Sequence, residues 1–533
     1  MRVALLTEGG YPYAQGELVA WCERLVRGLP WHDFEVRALS RGRQQASGPR
    51  RPLPEQVRLV RTARLWGPPP GGRPSRLAGR AFAEAFEELT AGLTDDRAAG
   101  TGGGPGAGAA QADRFATGLR ALADLAARHG GLARWLASEP AVAVLEAACR
   151  RPGVPRAAVG ASVADLLTVA ERMERALRPL SLDWYGGAAD DPGLGAVDLC
   201  HAVGGGPAAL PGLLARYLHG TPLLVTEFRV RLREHHVAAL AGSAGHTVPP
   251  SAARAPVRAL LAAFQLGLAR AVYAAAQLIT PGDARAGRWQ RRCGAEPARL
   301  RQLWPGIDTR ELLAVAERTS PAPVPLLVAA GPVDEHGDAD GLLRAFARVR
   351  EAEPAARLLL LGGPPPEPGG VPAARWCPPG SVEHRPAADP PARAAGWAAG
   401  AVAVCATVPD GFPTALVEAM CCGRPVVAAD RGAAAEALGG TGVLVPAGDP
   451  VALAEATLAL LHDPARRAAL GAAARARALE VFAVERSLAA LDAGYAELAG
   501  RAAAAGRVVP AWARRTIAEH PPPGVLATAE ERP

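Results

Sequence analysis

Short apolar runs alternate with amphipathic helical patterns in two stretches of this sequence, and this alternation constrains the fold most strongly. The first stretch opens with the apolar run 3–6, the helical pattern 18–29 and a second apolar run, 34–39. The second stretch opens with the apolar residues 325–333 and continues with a helical pattern over 341–352. Strands that alternate with helices predict parallel sheets with right-handed crossovers. We therefore expect an α/β protein made of two similar halves.

The boundaries of these halves are marked by changes in composition. A proline-rich linker near residue 321 separates an N-terminal domain, 1–318, from a C-terminal domain, 322–480. A Gly/Ala-rich stretch without periodicity, near 95–113, is typical of a flexible insertion in the first domain, and a second low-complexity insertion is expected near 240–256. The chain ends with a predicted helix over 481–505 and a proline-rich tail, 510–533, that we expect to be disordered.

The basic residues exclude several classes of chemistry. All 59 are arginine, and against 52 acidic residues they give a net charge of +7. Without lysine there can be no Schiff-base lysine, no Walker-type phosphate loop and no lysine general base. A bound phosphate must therefore be held by arginine, backbone N–H groups or a helix N-terminus. The charges are dispersed and no basic run is interleaved with aromatic residues, so the sequence does not favour a nucleic-acid partner.

Several features favour a cytoplasmic protein. The first apolar run is too short for a signal peptide, and no stretch of 18 or more uncharged apolar residues is present. The eight cysteines form no CxxC pair, and their spacings suit neither a zinc site nor a disulfide framework. We expect a cytoplasmic protein with buried thiols, no transmembrane helix and no metal site.

The segment 410–438 offers the best candidate ligand site. A strand ends near Cys405, and the loop that follows carries Asp410, Gly411 and Phe412. Pro413 suits the first turn of a helix, which would leave the N–H groups of residues 414–416 unpaired at the carboxyl edge of the sheet. A phosphate there gains hydrogen bonds and a dipole term of roughly 0.3–1 kcal/mol.

Glu418 lies further along the same predicted helix, where its carboxylate can reach a polar ligand group such as a ribose diol. A second interpretation of this segment is a helix-start turn with Glu418 as a solvated helix residue. The residue pattern by itself leaves both interpretations open.

This segment resembles the signature of family-4 retaining glycosyltransferases, in which two carboxylates separated by seven residues precede EAM-x-x-G-x-P-V-V. The runs LLTEGGYPYAQGELVAWCERLVRGLP, DLCHAVGGG and LLVTEF resemble bacterial exopolysaccharide glycosyltransferases of the Pel type, and WPGIDTREL agrees with them. The resemblance implies a GT-B architecture, with two Rossmann-like domains facing one another across a cleft. It also implies a nucleotide-sugar donor on the C-terminal domain and an acceptor on the N-terminal domain. The last helix would cross back to the first domain.

The resemblance also implies roles for individual residues. Glu418 matches the carboxylate that holds the nucleotide ribose, and Asp410 replaces a glutamate placed near the donor sugar. His201 matches a histidine near the donor sugar, with a core histidine as the alternative. Gly16 belongs to a loop that approaches the donor phosphates. The other residues implied to contact the donor are Gly411, Phe412, Pro413, Thr414, Ala415 and Leu416, the last three through their N–H groups to the diphosphate.

The chain departs from the family pattern where the diphosphate charge should be balanced. Pro332 stands in place of an arginine, and His336 and Gly337 stand near the position of a lysine. A charge pair about 4 Å apart contributes on the order of 4 kcal/mol at an intermediate dielectric, so two missing cations weaken both donor binding and catalysis. The acidic residues close to these positions are Asp334, Glu335, Asp338 and Asp340.

Two further departures lie in the N-terminal half. Glu17 replaces the second of two adjacent glycines, and Phe228 replaces a histidine. Nearby arginines offer compensation, with a solvated arginine-rich surface as the alternative interpretation. The candidate compensating residues are Arg229, Arg231, Arg233, Arg424 and Arg431.

The favoured function is a retaining hexosyltransferase that uses a nucleotide diphosphate sugar, UDP-linked in preference to GDP-linked, as co-substrate and needs no other cofactor. The acceptor would be a glycan, lipid or polyol, and the protein would associate peripherally with a membrane polysaccharide-synthesis complex. The alternative is a catalytically decayed GT-B protein that serves as a binding or scaffold partner. A sugar-nucleotide 2-epimerase shares the architecture, but the signature and the opening run argue against it.

Overall fold

The computed structural model describes two compact units. One unit comprises Met1–Pro281, Ala286–Arg301 and the chain from Leu491, and the other comprises Gly282–Arg285 and Gln302–Ala490. The described residues are 1–14, 16–46, 49, 52–69, 78–94, 107–151, 154, 156–186, 193–234, 254–318, 324–330, 339–362, 375–386, 389–406 and 411–504.

Each unit contains one six-stranded sheet in which every neighbouring pair of strands is parallel. The first sheet has the order β3-β2-β1-β4-β5-β6 and the second β12-β11-β10-β7-β8-β9. The strands are β1 (Arg2–Glu8), β2 (Asp33–Ser40), β3 (Val57–Arg64), β4 (Leu199–Val203), β5 (Leu223–Glu227), β6 (Leu278–Pro281), β7 (Leu326–Ala330), β8 (Arg357–Leu361), β9 (Val382–Arg385), β10 (Val402–Cys405), β11 (Val426–Ala429) and β12 (Val443–Val445).

The helices connect these strands and extend the first unit. In chain order they are α1 (Glu17–Gly28), α2 (Gly79–Thr94), α3 (Ala107–His129), α4 (Leu132–Leu136), α5 (Glu139–Cys149), α6 (Arg156–Val159), α7 (Val163–Leu177), α8 (Leu210–His219), α9 (Ala255–Ala275), α10 (Ala284–Arg292), α11 (Thr309–Arg318), α12 (Ala339–Ala352), α13 (Pro390–Ala399), α14 (Thr414–Cys421), α15 (Ala434–Leu438), α16 (Pro450–His462), α17 (Pro464–Val481) and α18 (Val484–Ala504).

The two sheets share a strand order that fixes where a ligand can bind. In each sheet the first strand lies at the centre, β1 beside β4 and β7 beside β10, so the winding reverses there. Doubly wound α/β sheets bind ligands outside the carboxyl ends of the strands at this switch point. The loops that follow β1 and β4, and those that follow β7 and β10, are therefore the candidate ligand-binding segments.

The core of the second unit follows the two-residue period of its strands. Val328, Ala403 and Val426 face a cluster that includes Trp397. Leu327, Val402 and Val427 face the opposite cluster, which includes Phe346. Successive strand side chains point to opposite faces, so a continuous apolar run buries both faces under helices. The predicted runs 3–6, 34–39 and 325–333 coincide with strands β1, β2 and β7, and the α/β fold class is confirmed.

The expected insertion near 95–113 is wrong from residue 107 onward, because helix α3 begins at Ala107. Alanine is the best helix former, and the small residues let α3 approach α2 closely. A Cβ at Gly118 would lie 2.4 Å from the backbone nitrogen of Leu89. Helix α9 likewise begins at Ala255, within the second expected insertion, near 240–256. Residues 95–106 and 240–253 and the expected disordered tail, 510–533, lie outside the described residues.

Among the helices that the structure describes, α9 is the one long and apolar enough to cross a membrane by length and composition. Half of its most apolar 18-residue window is buried, and residues such as Phe264 and Leu268 lie in the core of the first unit. A buried core helix of a globular unit passes the same test of length and composition.

Candidate functional site

The loop before α14 is shaped by one glycine and one aromatic contact. Gly411 has a φ of 97°, a left-handed conformation that glycine adopts without a steric penalty. The ring of Phe412 packs between Trp304 and Phe482, at centroid distances of 6.0 and 5.9 Å. Pro413 then precedes the helix as its N-cap residue. Asp410 lies outside the described residues, so its predicted place near the donor sugar stays a prediction.

The start of α14 offers two backbone donors instead of the three expected. The N–H of Thr414 donates to the carbonyl of Phe412 at 3.0 Å, because the chain turns tightly through Pro413. The first regular helical bond runs from the Val417 N–H to the Pro413 carbonyl at 3.0 Å. Ala415 and Leu416 lie between them, and their N–H groups have no backbone acceptor within the described part of the chain. These two groups are the ones able to bind an anion at this helix end.

Glu418 is buried and ion-paired, so the solvated-residue interpretation is wrong. The guanidinium of Arg393 donates from Nε to both carboxylate oxygens at 3.0 Å and from Nη2 to Oε1 at 2.8 Å. The indole Nε1 of Trp397 reaches Oε2 at 3.3 Å. A carboxylate taken out of water needs such partners, since an unpaired buried charge is strongly destabilising. Any ligand that hydrogen-bonds to Glu418 must share this carboxylate with Arg393.

Sequence reasoning missed Arg393 and Trp397. Their spacing of four residues places both on one face of α13, which was the available signal. That this face packs against Glu418 depends on how α13 and α14 meet, and no local pattern encodes that contact. The fold of the second unit therefore brings Glu418, which was predicted to bind the nucleotide ribose, into contact with the cation Arg393.

His201 is a core residue. It is the middle residue of β4 and is fully buried. Its Nδ1 lies 2.6 Å from the Tyr495 hydroxyl and its Nε2 lies 2.7 Å from Thr226 Oγ1. Burial lowers the pKa of His201 to about 3. Both ring nitrogens are occupied by protein partners, so the geometry supports the structural alternative and not the expected place near a donor sugar.

The glycine loop of the first unit agrees in part with the sequence expectation. Gly16 precedes α1 with a φ of 129°, a conformation that favours glycine. The Glu17 carboxylate, half-exposed, accepts a hydrogen bond from Arg24 Nη2 at 2.9 Å. The negative charge of Glu17 is therefore balanced within its own helix. Phe228, in place of the expected histidine, packs edge-on against Trp21 at 5.1 Å.

A second charged cluster, which we call the Glu8 cluster, lies at the carboxyl edge of the first sheet and consists of Glu8, Arg41 and Arg231. Arg41 Nε donates to Glu8 Oε1 at 3.0 Å, and Arg231 Nη1 donates to Glu8 Oε2 at 2.6 Å. Burial would raise the pKa of Glu8, but the charges of Arg231 and Arg41 and their hydrogen bonds lower it below its ordinary value. Arg231 was predicted as a compensating cation, whereas Glu8 and Arg41 were missed.

Glu227 ends β5 beside this cluster and is buried. Its carboxylate accepts hydrogen bonds from the Tyr273 hydroxyl, from the Gly205 N–H at 3.2 Å and from Gln290 Nε2 at 3.4 Å. Burial raises the pKa of Glu227, and these hydrogen bonds offset part of that rise. The arginines thus favour the ionised form of Glu8 at the end of β1, whereas burial favours the neutral form of Glu227 at the end of β5.

The structure describes only some of the remaining residues at which the chain departs from the family pattern. Pro332, His336 and the acids between them lie outside the described residues, whereas Asp340 is paired with Arg344 Nε at 2.9 Å and accepts from Trp376 Nε1 at 2.8 Å. Arg424 donates to the carbonyls of Cys422 and Gly400, so it serves the backbone instead of a phosphate. Among the described residues, no group of three or more His, Cys, Asp or Glu side chains is arranged to hold a metal ion.

Comparisons with known proteins agree with this division into two units. Residues 1–298 match a family model described as a domain of unknown function, DUF3492. Residues 324–463 match the model described as glycosyl transferases group 1. This matched range includes the whole of α14.

Individual relatives are glycosyltransferases. D-inositol 3-phosphate glycosyltransferase of Kineococcus radiotolerans is 30% identical over 252 residues, which cover 40% of this chain and 55% of the relative. The enzyme of the same name from Xylanimonas cellulosilytica is 34% identical over 238 residues, covering 39% and 54%. The chain therefore spans about half the length of the curated relatives it matches.

Solved structures share the fold at low identity. Sucrose-phosphate synthase from Thermosynechococcus elongatus aligns with a TM-score of 0.53 at 18% identity, over 94% of this chain and 99% of that one. Anabaena HepE in complex with UDP aligns with a TM-score of 0.54 at 15% identity, over 93% and 100%. The GT-B fold class is confirmed by these neighbours and by the two doubly wound sheets. By the match over its first 298 residues the chain belongs to the DUF3492 family, and a region of the group 1 glycosyl transferases follows.

Proposed function

We propose that this protein is a glycosyltransferase that moves a sugar from a UDP-sugar to a glycan, lipid or polyol acceptor with retention of the anomeric configuration. The observation that carries the proposal is the start of α14. There the N–H groups of Ala415 and Leu416, which have no backbone acceptor among the described residues, lie within one turn of the buried carboxylate of Glu418. This pairing offers donors for a diphosphate and an acceptor for a ribose diol on one helix.

The proposed mechanism uses this chain's own groups in three places. The Ala415 and Leu416 N–H groups stabilise the negative charge that develops on the departing diphosphate. Glu418 binds the ribose, and Arg393 holds the carboxylate oriented for it. Asp410 is proposed to lie near the donor sugar. No protein nucleophile is required in this proposal, because the departing phosphate assists the incoming acceptor.

The relatives support a nucleotide-sugar donor without defining it. Anabaena HepE was solved in complex with UDP, and the two curated relatives described above carry the name D-inositol 3-phosphate glycosyltransferase. We further propose, from the Pel-like opening, that the enzyme works in the cytoplasm on an exopolysaccharide. Peripheral association with a membrane synthesis complex belongs to the same proposal.

A transfer assay tests the proposal directly. Purified protein is incubated with UDP- and GDP-sugars and a panel of glycan, lipid and polyol acceptors, and NMR identifies the anomer of any product. We expect transfer from a UDP-sugar with retention, reduced at least about tenfold in Asp410→Asn because a charge near the reacting sugar is lost. Glu455→Gln, on the exposed face of α16, is the matched control.

The scaffold alternative rests on the occupied carboxylate of Glu418 and on Pro332, but the matches to transferases do not favour it. If the protein neither binds nor turns over any nucleotide sugar while remaining folded, the scaffold alternative replaces the proposal.

A further inference from the structure

The Glu8 cluster lies at the switch point of the first sheet, where four neighbouring strands end. Glu8 ends β1, Arg41 follows β2, and Arg231 follows β5. The glycine turn 204–206 follows β4 and completes the set. Doubly wound sheets bind ligands at this position, so the cluster occupies a ligand-binding edge rather than an arbitrary surface.

The two arginines remain accessible although they share one buried carboxylate. The Glu8 side chain is 7% exposed, whereas the side chains of Arg41 and Arg231 are 54% and 34% exposed. Each guanidinium uses one nitrogen for Glu8. No other side-chain hydrogen bond of either guanidinium is found within the described residues, and each arginine carries five N–H donors. Two guanidinium groups thus share the one carboxylate of Glu8, while the carboxylate of neighbouring Glu227 takes its side-chain hydrogen bonds from Tyr273 and Gln290.

The surrounding backbone lies close to both arginine side chains. A Cβ at Gly9 would lie 2.8 Å from Arg41 Cδ, and a Cβ at Gly206 would lie 2.7 Å from Arg231 Nη1. Side-chain Oε1 of Gln45 accepts from the Arg41 N–H at 2.7 Å, while its Nε2 donates to the Gly9 carbonyl at 3.0 Å. A side chain at Gly9 or Gly206 would therefore displace the arginine that lies against it.

A pair of preorganised, partly exposed guanidinium groups at a ligand-binding edge is suited to an oxyanion, since arginine donors match phosphate and carboxylate geometry. We propose that the Glu8 cluster binds the anionic group of the acceptor, a phosphate or a carboxylate on a sugar. This makes the acceptor an acidic sugar rather than a neutral one. The identification of the bound molecule as the sugar acceptor rests on the proposed function. Oxyanion binding itself can be tested without turnover.

The test uses isothermal titration calorimetry on the full chain with inorganic phosphate, glucose 6-phosphate, glucuronate and glucose. The two acidic sugars separate phosphate from carboxylate preference, and glucose reports any contribution of the sugar alone. We expect phosphate and at least one acidic sugar to bind and glucose not to bind. Arg41→Gln and Arg231→Gln should each weaken binding at least about tenfold, as expected for loss of charge-assisted hydrogen bonds.

Arg58→Gln is the matched control. Arg58 is also an arginine of the first unit and pairs with a carboxylate, Asp33, at 2.7 Å, but Asp33 begins β2 and so lies at the opposite edge of the sheet. Circular dichroism of each variant confirms folding, and Arg41, the more exposed arginine, keeps the test valid if the Arg231 variant unfolds.

UDP titration of the same variants separates this inference from the proposed function. Unchanged UDP affinity together with lost oxyanion binding supports the inference. It is overturned if the wild type binds none of the anions, if glucose binds as tightly, if Arg58→Gln weakens binding equally, or if the arginine variants lose UDP instead. Failure of UDP binding in the wild type would contradict the proposed function alone.

Discussion

The guanidinium of Arg393 holds both oxygens of the Glu418 carboxylate, with three N···O distances between 2.8 and 3.0 Å. This relationship joins α13 to α14 and fixes the carboxylate that we propose to bind the ribose. It also explains how a buried acid is tolerated at this position. Removing one partner of such a pair leaves an uncompensated buried charge, which typically costs about 3–5 kcal/mol.

Arg393→Met should therefore destabilise the protein by about 3 kcal/mol, because Glu418 would keep its buried charge without a cationic partner. The double variant Arg393→Met with Glu418→Gln should recover most of that loss. Urea unfolding of both single variants and the double variant gives the coupling free energy. Additive effects would show that the two side chains do not interact in solution.

A pH-dependent stability is expected from His201. Its pKa falls from 6.5 to about 3 on folding, so the unfolded chain binds more protons in that window. The stabilisation by neutral His201 is complete above about pH 6.5 and is lost as the pH falls, at about 1.4 kcal/mol per unit. Urea unfolding of the wild type and His201→Gln at pH 5.0, 6.0 and 7.5 measures this loss of stability. A stability difference that does not shrink toward pH 5 contradicts the buried neutral histidine.

Close packing of α3 on α2 gives a third prediction. Gly118→Ala places a Cβ 2.4 Å from the backbone nitrogen of Leu89, which no side-chain rotation relieves. We expect a loss of at least about 2 kcal/mol and a lower melting temperature. Gly160→Ala is the control, since a Cβ there meets no atom within 4 Å. Equal melting temperatures for the two variants would rule out this helix contact.

The sequence predicts the strands of both sheets better than it predicts the contacts of the site. The apolar run 34–39 is observed as β2, Asp33–Ser40, because burial on both faces leaves a continuous apolar signature. The start of α3 at Ala107 was missed because glycine and alanine carry no apolar periodicity. Its helix depends on packing against α2, which composition does not reveal.

The site residues differ in how far apart their partners lie in the chain. Glu418 could be singled out from its place on a helix, but its partner Arg393 is set by the packing of α13. His201 forms a hydrogen bond with Tyr495, which is 294 residues away, so the sequence around His201 could not reveal its structural role. Arg231 and Glu8 are 223 residues apart and meet because β1 and β5 flank β4 in the sheet.

Nucleotide binding at α14 tests the central claim most directly. The measurement is calorimetric titration of UDP into the wild type, Glu418→Gln and the control Glu455→Gln at neutral pH. Glu418→Gln keeps the shape of the side chain but removes the charge that would accept the ribose hydroxyls. We predict UDP binding by the wild type and the control, weakened at least about tenfold in Glu418→Gln. A folded wild type without affinity for UDP, or a Glu418→Gln variant that binds UDP as tightly, would contradict the account.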